Sequence, residues 1–167
     1  MVSQLDAMVA RYRSGEPLAY VLGSWSFRTL DLMIDKRVLI PRPETELVAG
    51  RAIELARSFT ESRCVVDLGT GSGAIGLSMA AELSIVDTQV WLTDNSLDAL
   101  NVASANAAGL GRAGANVRFA LGTWFEALSR EMSDDLHGQV QVIVSNPPYI
   151  ANDAREVHAS VREWEPH

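Results

Sequence analysis

The chain has little of what would mark a secreted, membrane-bound or nucleic-acid-binding protein. Its 167 residues include one cysteine, Cys64, so no disulfide can form within the chain. No apolar stretch approaches the roughly 18 residues of a membrane-spanning helix, and no signal-like apolar block opens the sequence. The 14 Lys and Arg are outnumbered by 21 Asp and Glu, and the resulting charge of −7 gives no general attraction to a phosphate backbone. We therefore expect a soluble cytoplasmic protein with no membrane partner and no direct nucleic-acid partner.

The three histidines do not suggest a metal centre. His137, His158 and His167 have no metal-ligand spacing and no neighbouring nucleophile. We predict surface positions for them and no bound metal.

From Cys64 onward, strand and helix patterns alternate, which is typical of a mostly parallel sheet with helices on both faces. The predicted strands are 64–68, 89–93, 117–121 and 141–145, and the predicted helices are 73–83, 97–108 with Gly109 as C-cap, 125–132 and 153–164. Upstream, the pattern predicts a short helix near residues 3–12 and a hairpin or ribbon over 27–34. After Pro43 it predicts a helix that buries Leu47, Val48, Ala52, Leu55, Ala56 and Phe59.

A glycine-rich loop follows the first strand of the repeating part and leads into a helix. It reads Asp67-Leu68-Gly69-Thr70-Gly71-Ser72-Gly73. Glycine allows a positive φ and a close approach of ligand to backbone, while the free N–H groups at a helix N-terminus attract negative charge. The loop therefore predicts a cofactor site.

The same loop contains Gly71-x-Gly73-x-x-Gly76, which alone would suggest a dinucleotide cofactor, but a single match of this kind is weak. Asp67 would repel a pyrophosphate and attract an ammonium or sulfonium group, and the glycines begin one register too early for a dinucleotide fingerprint. S-adenosylmethionine fits better, because its carboxylate suits the helix N-terminus and its cationic groups suit Asp67.

Asp94 closes the second strand of this part, 94 − 73 = 21 residues after the last glycine of the loop. A carboxylate there can accept hydrogen bonds from both hydroxyls of a ribose. The alternative is an acid that caps the following helix, because Asn95 and Ser96 come next. We favour ribose binding.

The fourth strand ends in Asn146-Pro147-Pro148-Tyr149. The side-chain oxygen of Asn146 and the carbonyl of Pro147 are two acceptors about one amide apart, and the prolines restrict the backbone that carries them. Such a pair can hold both hydrogens of a planar NH₂ group and aim its weakly nucleophilic nitrogen. The alternative is a simple turn after a strand. With the cofactor loop upstream, we favour group transfer to an NH₂ group.

Three separated blocks together resemble the HemK/PrmC family, protein-glutamine methyltransferases that modify peptide chain release factors. They are Gly15-Glu16-Pro17-Leu18-Ala19-Tyr20 leading to Ile40-Pro41-Arg42-Pro43-Glu44-Thr45-Glu46, the Asp67 to Gly73 loop, and Asn146 to Tyr149. The resemblance implies that Gly69 to Gly73, Asp94 and Asn146 contact S-adenosylmethionine, and that Asn146 to Tyr149 bind the glutamine of a Gly-Gly-Gln tripeptide. The 42–46 segment starts a helix, with a compatible second role in lining the substrate entrance.

Trp124 matches a family position beside the adenine, although it could also be a core aromatic. Thr123 departs from the family, which usually has an acid there. By the resemblance, the predicted cofactor residues are Asp67, Gly69, Thr70, Gly71, Ser72, Gly73, Asp94, Trp124 and Asn146. The predicted catalytic residues are Asn146, Pro147 and Tyr149, and the predicted substrate residues are Asn146, Pro147, Pro148 and Tyr149.

The expected fold is thus α/β, a Rossmann-like class I S-adenosylmethionine-dependent methyltransferase sheet. Compared with the family, we expect residues 1–40 to be a remnant N-terminal helix and hairpin linker and 41–167 to be a methyltransferase domain lacking its C-terminal strands. The expected function is N-methylation of the glutamine amide of a release factor, a protein partner. The alternatives are a ribosomal-protein glutamine methyltransferase, a nucleic-acid amino methyltransferase and a non-catalytic cofactor-binding fragment.

Overall fold

The structure, a computed structural model, describes residues 2–131, 138–147 and 163–166. Its main element is a four-stranded parallel sheet in the order β5-β4-β3-β6. The strands are Arg63–Leu68 (β3), Thr88–Asp94 (β4), Val117–Leu121 (β5) and Val140–Ser145 (β6). A separate antiparallel hairpin is formed by Ser24–Phe27 (β1) and Leu30–Met33 (β2). The α/β class predicted from the sequence is confirmed, and so are the four parallel strands, each to within a residue.

The helices alternate with the strands of the main sheet as expected. They are Val2–Arg13 (α1), Leu18–Leu22 (α2), Thr45–Arg57 (α3), Ala74–Glu82 (α4), Leu97–Gly109 (α5) and Glu126–Glu131 (α6), with a 3-10 helix over Gly111–Asn116. Two of these, α2 and the 3-10 helix, are too short to give a clear period and were not predicted. The predicted helix over 153–164 lies almost entirely outside the described residues.

The two faces of the sheet carry separate apolar clusters, because side chains alternate along each strand. Val65, Val90 and Val142 pack with α3, α4 and α5 on one face. Val66 and Trp91 pack with α6 on the other face. Helices therefore cover both faces, as the strand and helix repeat predicted.

The hairpin joins the larger of these clusters. Phe27 and Leu32 are fully buried in it, and Trp25 packs against its edge. Arg28 in the connecting turn donates to both carboxylate oxygens of Glu82 at the end of α4, at 2.7 and 3.0 Å. This contact between an N-terminal segment and α4 fixes the hairpin on the helical layer.

Two details of the sequence-based expectation are wrong. The first is the buried face of α3, where Leu47 is 78% exposed and Val48, Leu55 and Phe59 are also exposed. Of the residues predicted to be buried, Ala52 and Ala56 are, and the face is completed by Thr45, Ala49 and Ile53. Small residues face the sheet because α3 packs closely on α4 and β6, so the largest apolar side chains do not mark the inner face.

The second concerns the end of α5. Gly109 is the last helical residue and does not have the left-handed conformation of a glycine C-cap. The positive φ of 57° lies at Gly111, two residues further on. The 3-10 helix begins there, so the chain turns later than a single glycine signal suggested.

Candidate functional site

The carboxyl ends of β3 and β6 form a topological switch point. The chain runs from β3 outward to β4 and β5 and then returns to the other side of β3 as β6. Ligands of open parallel sheets bind outside the strand ends at such a point. Leu68 pairs with Ser145 in the register of these strands, and the Ser145 hydroxyl donates to the Leu68 carbonyl at 2.7 Å. The glycine loop and Asn146 therefore begin side by side at one edge of the sheet.

The backbone of the glycine loop is held on β4. The N–H groups of Gly69 and Thr70 both donate to the Thr93 carbonyl at 2.9 Å. Gly69 and Gly71 have φ values of 71° and 56°, and a Cβ atom at either would meet no other atom within 4 Å. The loop therefore presents bare backbone to open space, as a surface for a ligand requires.

The predicted cofactor residue Asp67 lies beneath this loop, with a relative exposure of 1%. Its Oδ2 atom accepts hydrogen bonds from the Thr70 hydroxyl at 2.7 Å and from the Gly76 N–H at 2.9 Å. Burial raises the pKa of Asp67 to about 6, against the opposing effect of these two hydrogen bonds. At neutral pH the carboxylate is therefore mostly ionised, and it is a buried negative charge directly under the loop.

Asp94 is bound to both the loop and the next helix. Its Oδ2 atom accepts from the Gly71 N–H and its Oδ1 atom from the Ser96 N–H, both at 2.9 Å. Ser96 in turn caps α5, since its hydroxyl accepts from the Ala99 N–H at 3.2 Å. The local helix-start contact considered as the alternative role is thus present. It leaves lone pairs on each oxygen, so ribose binding by Asp94 stays a prediction.

Asn106, a residue that the sequence reasoning missed, supports the loop from α5. The side chain is 7% exposed. It donates to the Ser72 carbonyl at 2.9 Å and exchanges two hydrogen bonds with the backbone of Met33, at 2.7 and 3.1 Å. The available signal was an asparagine on a helix face whose other buried residues are small or apolar, where an amide needs partners.

Asn146 begins the segment after β6. Its Nδ2 atom donates to the Thr45 hydroxyl at the start of α3, at 3.1 Å. The Oδ1 atom is then the part of the amide that remains to accept a hydrogen bond. Pro147 follows it directly, whereas the predicted substrate residues Pro148 and Tyr149 lie outside the described residues.

Trp124 lies in the turn after β5, three residues beyond Leu121, which pairs with Asp94. The Gly122 N–H donates to the Asp94 carbonyl at 3.0 Å, which places this turn at the same sheet edge. The Trp124 side chain is 53% exposed and the residue has a φ of 48°, a costly conformation for a non-glycine residue. Such exposure argues against the alternative of a core aromatic. The structure thus brings the loop, Asp94, Trp124 and Asn146 to one edge.

The described part of the chain holds neither a metal cluster nor a membrane-spanning helix. No group of three His, Cys, Asp or Glu side chains there could hold a metal ion. Within the same residues, no helix has the length and apolar character needed to cross a membrane.

A glycine loop over a buried acid at a switch point, in a parallel sheet of this kind, suits a Rossmann-like methyltransferase. The sequence model of the methyltransferase small domain matches residues 50–163, and the chain belongs to this family. The solved S-adenosylmethionine-dependent methyltransferase of Agrobacterium tumefaciens has the same fold, with a TM-score of 0.58, 19% identity, and coverage of 75% of this chain and 40% of that one.

The curated relatives are more specific than the domain family, because they share one name. The chain is 44% identical over 148 residues to the release factor glutamine methyltransferase of Burkholderia pseudomallei, a match covering 87% of this chain and 49% of that protein. It is 45% identical over 146 residues to the protein of the same name from Xylella fastidiosa, with coverage of 87% and 49%. The resemblance to the HemK/PrmC family is thus confirmed. The chain spans about half the length of the curated relatives it matches.

Proposed function

We propose that this chain carries the S-adenosylmethionine-dependent site of an enzyme that N-methylates the glutamine amide in the Gly-Gly-Gln motif of peptide chain release factors. The observation that carries the proposal is the register of β3 and β6, which starts the glycine loop and Asn146 from paired residues at the switch point. A methyl donor on the loop and an amide acceptor at Asn146 then share one cleft. The names of the curated relatives support the choice of acceptor.

The residues present suit this cofactor. The bare backbone at Gly69 and Gly71 opens onto unfilled space. At the N-terminus of α4 the N-cap is Gly73, which has no side chain, and Asp67 binds the Gly76 N–H, so the N–H groups before Gly76 suit a carboxylate. The buried charge of Asp67 and the carboxylate of Asp94 give this edge of the sheet a negative potential that suits an ammonium and a sulfonium. When bound, the cofactor supplies an electrophilic methyl group on a positively charged sulfur.

The work of the protein in this proposal is positioning. An amide nitrogen is a weak nucleophile, because its lone pair is delocalised into the carbonyl. Asn146 Oδ1 and the Pro147 carbonyl accept the two hydrogens of the acceptor NH₂ and so aim its nitrogen at the methyl group. The nitrogen would form its bond to the methyl carbon as the methyl–sulfur bond breaks and a neutral thioether leaves, and it would release one proton to solvent. Because the sulfonium already carries its leaving group, no metal and no covalent enzyme intermediate are needed. Tyr149 would pack beside the amide and exclude water.

The remaining site roles belong to the same proposal. Asp67, Thr70 and Ser72 are buried and shape the loop, while the backbone of Gly69, Gly71 and Gly73 faces the ligand. Asp94 binds the ribose and Trp124 lies against the adenine. Thr123 provides no carboxylate for the adenine amino group, so affinity depends more on Trp124. The boundary at residue 40, between the N-terminal segment and the methyltransferase domain, also remains a prediction, as does a cytoplasmic location.

The test is mass spectrometry of a bacterial release factor incubated with the chain and methyl-labelled S-adenosylmethionine. We expect one labelled methyl group on the glutamine of the Gly-Gly-Gln motif. A parallel incubation with total RNA and with ribosomal proteins separates the alternatives. Label in RNA or in a ribosomal protein, with none in the release factor, would overturn the proposed acceptor. Cofactor binding by calorimetry without transfer to any substrate would indicate a binding fragment.

A further inference from the structure

The hydroxyl of Thr45 lies where it can hold the Asn146 carboxamide in place. Thr45 is the first residue of α3 and is 8% exposed. Its Oγ1 atom accepts from Asn146 Nδ2 at 3.1 Å across a separation of 101 residues. A carboxamide has a donor end and an acceptor end of almost the same shape, so packing alone does not choose between them.

This choice matters for an acceptor that itself carries an NH₂ group. With Nδ2 directed to Thr45, Oδ1 can receive a hydrogen from the acceptor amide. In the flipped orientation, an NH₂ group would face another NH₂ group, and the acceptor would lose one of its two hydrogen bonds. In the structure the Thr45 hydroxyl bonds the Nδ2 end, which holds the carboxamide in the productive orientation and leaves Oδ1 for the acceptor amide.

Thr45 is itself firmly placed. Its N–H donates to the Arg42 carbonyl at 3.0 Å, which closes the turn before α3. The Arg42 guanidinium donates to Glu165 Oε1 at 2.7 Å, and the Glu165 side chain is 3% exposed. The turn is thus anchored to Glu165, which fixes the position of the backbone that carries the Thr45 hydroxyl.

We propose that Thr45 is a positioning residue whose hydroxyl holds the Asn146 carboxamide with its oxygen toward the acceptor amide. The inference rests on the proposed function for its catalytic consequence, although the orientation itself does not depend on activity. Thr45 touches neither the acceptor nor the cofactor in this scheme and acts only through Asn146.

The experiment compares Thr45→Val, which keeps the shape and removes the hydroxyl, with Thr45→Ser, which keeps the hydroxyl. Thr88→Val is the matched control, because Thr88 is also buried but opens β4 at the opposite edge of the sheet. In the kinetic measurement, Thr45→Val should lower kcat for release-factor methylation about 10-fold with little change in KM for S-adenosylmethionine. Thr45→Ser and Thr88→Val should stay within about 2-fold of the wild type.

A spectroscopic measurement tests the orientation without turnover. The side-chain NH₂ signals of Asn146, assigned by their loss in Asn146→Ala, should exchange with water several-fold faster in Thr45→Val and at the original rate in Thr45→Ser. Unchanged exchange in Thr45→Val would overturn the inference, and so would changed exchange with normal kcat in an active enzyme. A wild-type chain that does not methylate release factor would count against the proposed function alone, because the exchange comparison still decides the role of Thr45.

Discussion

The two halves of the candidate site are built differently. The glycine loop is held from within by polar side chains, since the buried Asp67 and Asn106 and the partly buried Asp94 all bind its backbone or side chains. Among the described residues of the acceptor side, Ser145 at the end of β6 and Asn146 each make one hydroxyl contact, the first to β3 and the second to Thr45. The loop is therefore shaped before a ligand arrives, whereas these two contacts of the acceptor side can be removed one at a time.

We infer that the glycine loop serves mainly to bind the cofactor and that the acceptor side serves mainly in catalysis. A preformed loop binds its ligand without the cost of ordering it. On the acceptor side, separate contacts allow the catalytic amide to be altered without loss of the fold. Substitutions in the two halves should accordingly separate binding from catalysis.

The largest effect is expected at Asn146, whose replacement breaks the acceptor half alone. Asn146→Ala removes one of the two acceptors that hold the substrate amide and should lower kcat by about 1000-fold. Cofactor affinity should weaken by no more than about 10-fold, since the loop keeps its own contacts. Methylation assays and calorimetric titration with S-adenosylmethionine measure the two quantities. Catalysis retained by this variant would remove Asn146 from the mechanism.

A second substitution probes the buried charge of the loop half. The pKa of Asp67 is raised in the folded state to about 6, so the folded chain holds this proton at pH values where the unfolded chain has lost it. Stability from this group is therefore present below pH 4 and is lost as the pH rises toward 6, by about 3 kcal/mol in total. Urea unfolding should show that the stability of wild type relative to Asp67→Asn falls over this range. If the difference in the free energy of unfolding between the two proteins does not change with pH, burial does not raise the pKa of Asp67.

Gly76 tests how closely the loop half is packed. A Cβ atom there would lie 2.6 Å from Leu92 Cδ1 and 3.1 Å from Asp67 Oδ2. Gly76→Ala should therefore destabilise the chain by about 2 kcal/mol, despite the better helix propensity of alanine. Gly109→Ala is the control, because that helical position is open and should change the free energy of unfolding by less than about 1 kcal/mol in the stabilising direction. Equal effects at the two sites would show that the Gly76 contact relaxes freely.

The smallest effect is expected at Ser145. Ser145→Ala removes one hydroxyl contact to the Leu68 carbonyl and should cost about 1 kcal/mol of stability. Because this bond joins the ends of β3 and β6, it should also lower kcat modestly while leaving cofactor affinity unchanged. A loss confined to cofactor affinity would assign Ser145 to the loop half instead.

The sequence predicted much of this arrangement, because the relevant signals are local. A run of buried β-branched residues, a glycine loop and a helix start follow one another along the chain, and their period identifies them. The carboxyl ends of parallel strands meet at one edge, so Asp67, Asp94 and Asn146 were expected together. All three lie there.

What the sequence did not predict depends on pairs far apart in the chain. The contact of Asn146 with Thr45 spans 101 residues, and the three hydrogen bonds of Asn106 span 34 and 73 residues. The pattern of α5 marks Asn106 as buried but does not identify its partners, and nothing local marks the contact between Asn146 and Thr45. The prediction of which residues of α3 are buried was wrong for a similar reason. Close packing against α4 and β6 requires small side chains on the inner face, so Leu47 lies on the outer face.

Asn106 has one further consequence for the architecture. An apolar side chain of similar size could fill its space, but the backbone N–H and C=O of Met33 and the carbonyl of Ser72 would lose their partner. The Asn106 carboxamide thus connects the hairpin to the glycine loop and sets the distance between them. These bonds join the end of the hairpin to the ligand-facing turn, in addition to the contact of Arg28 with Glu82, so a shift of the hairpin should displace the turn.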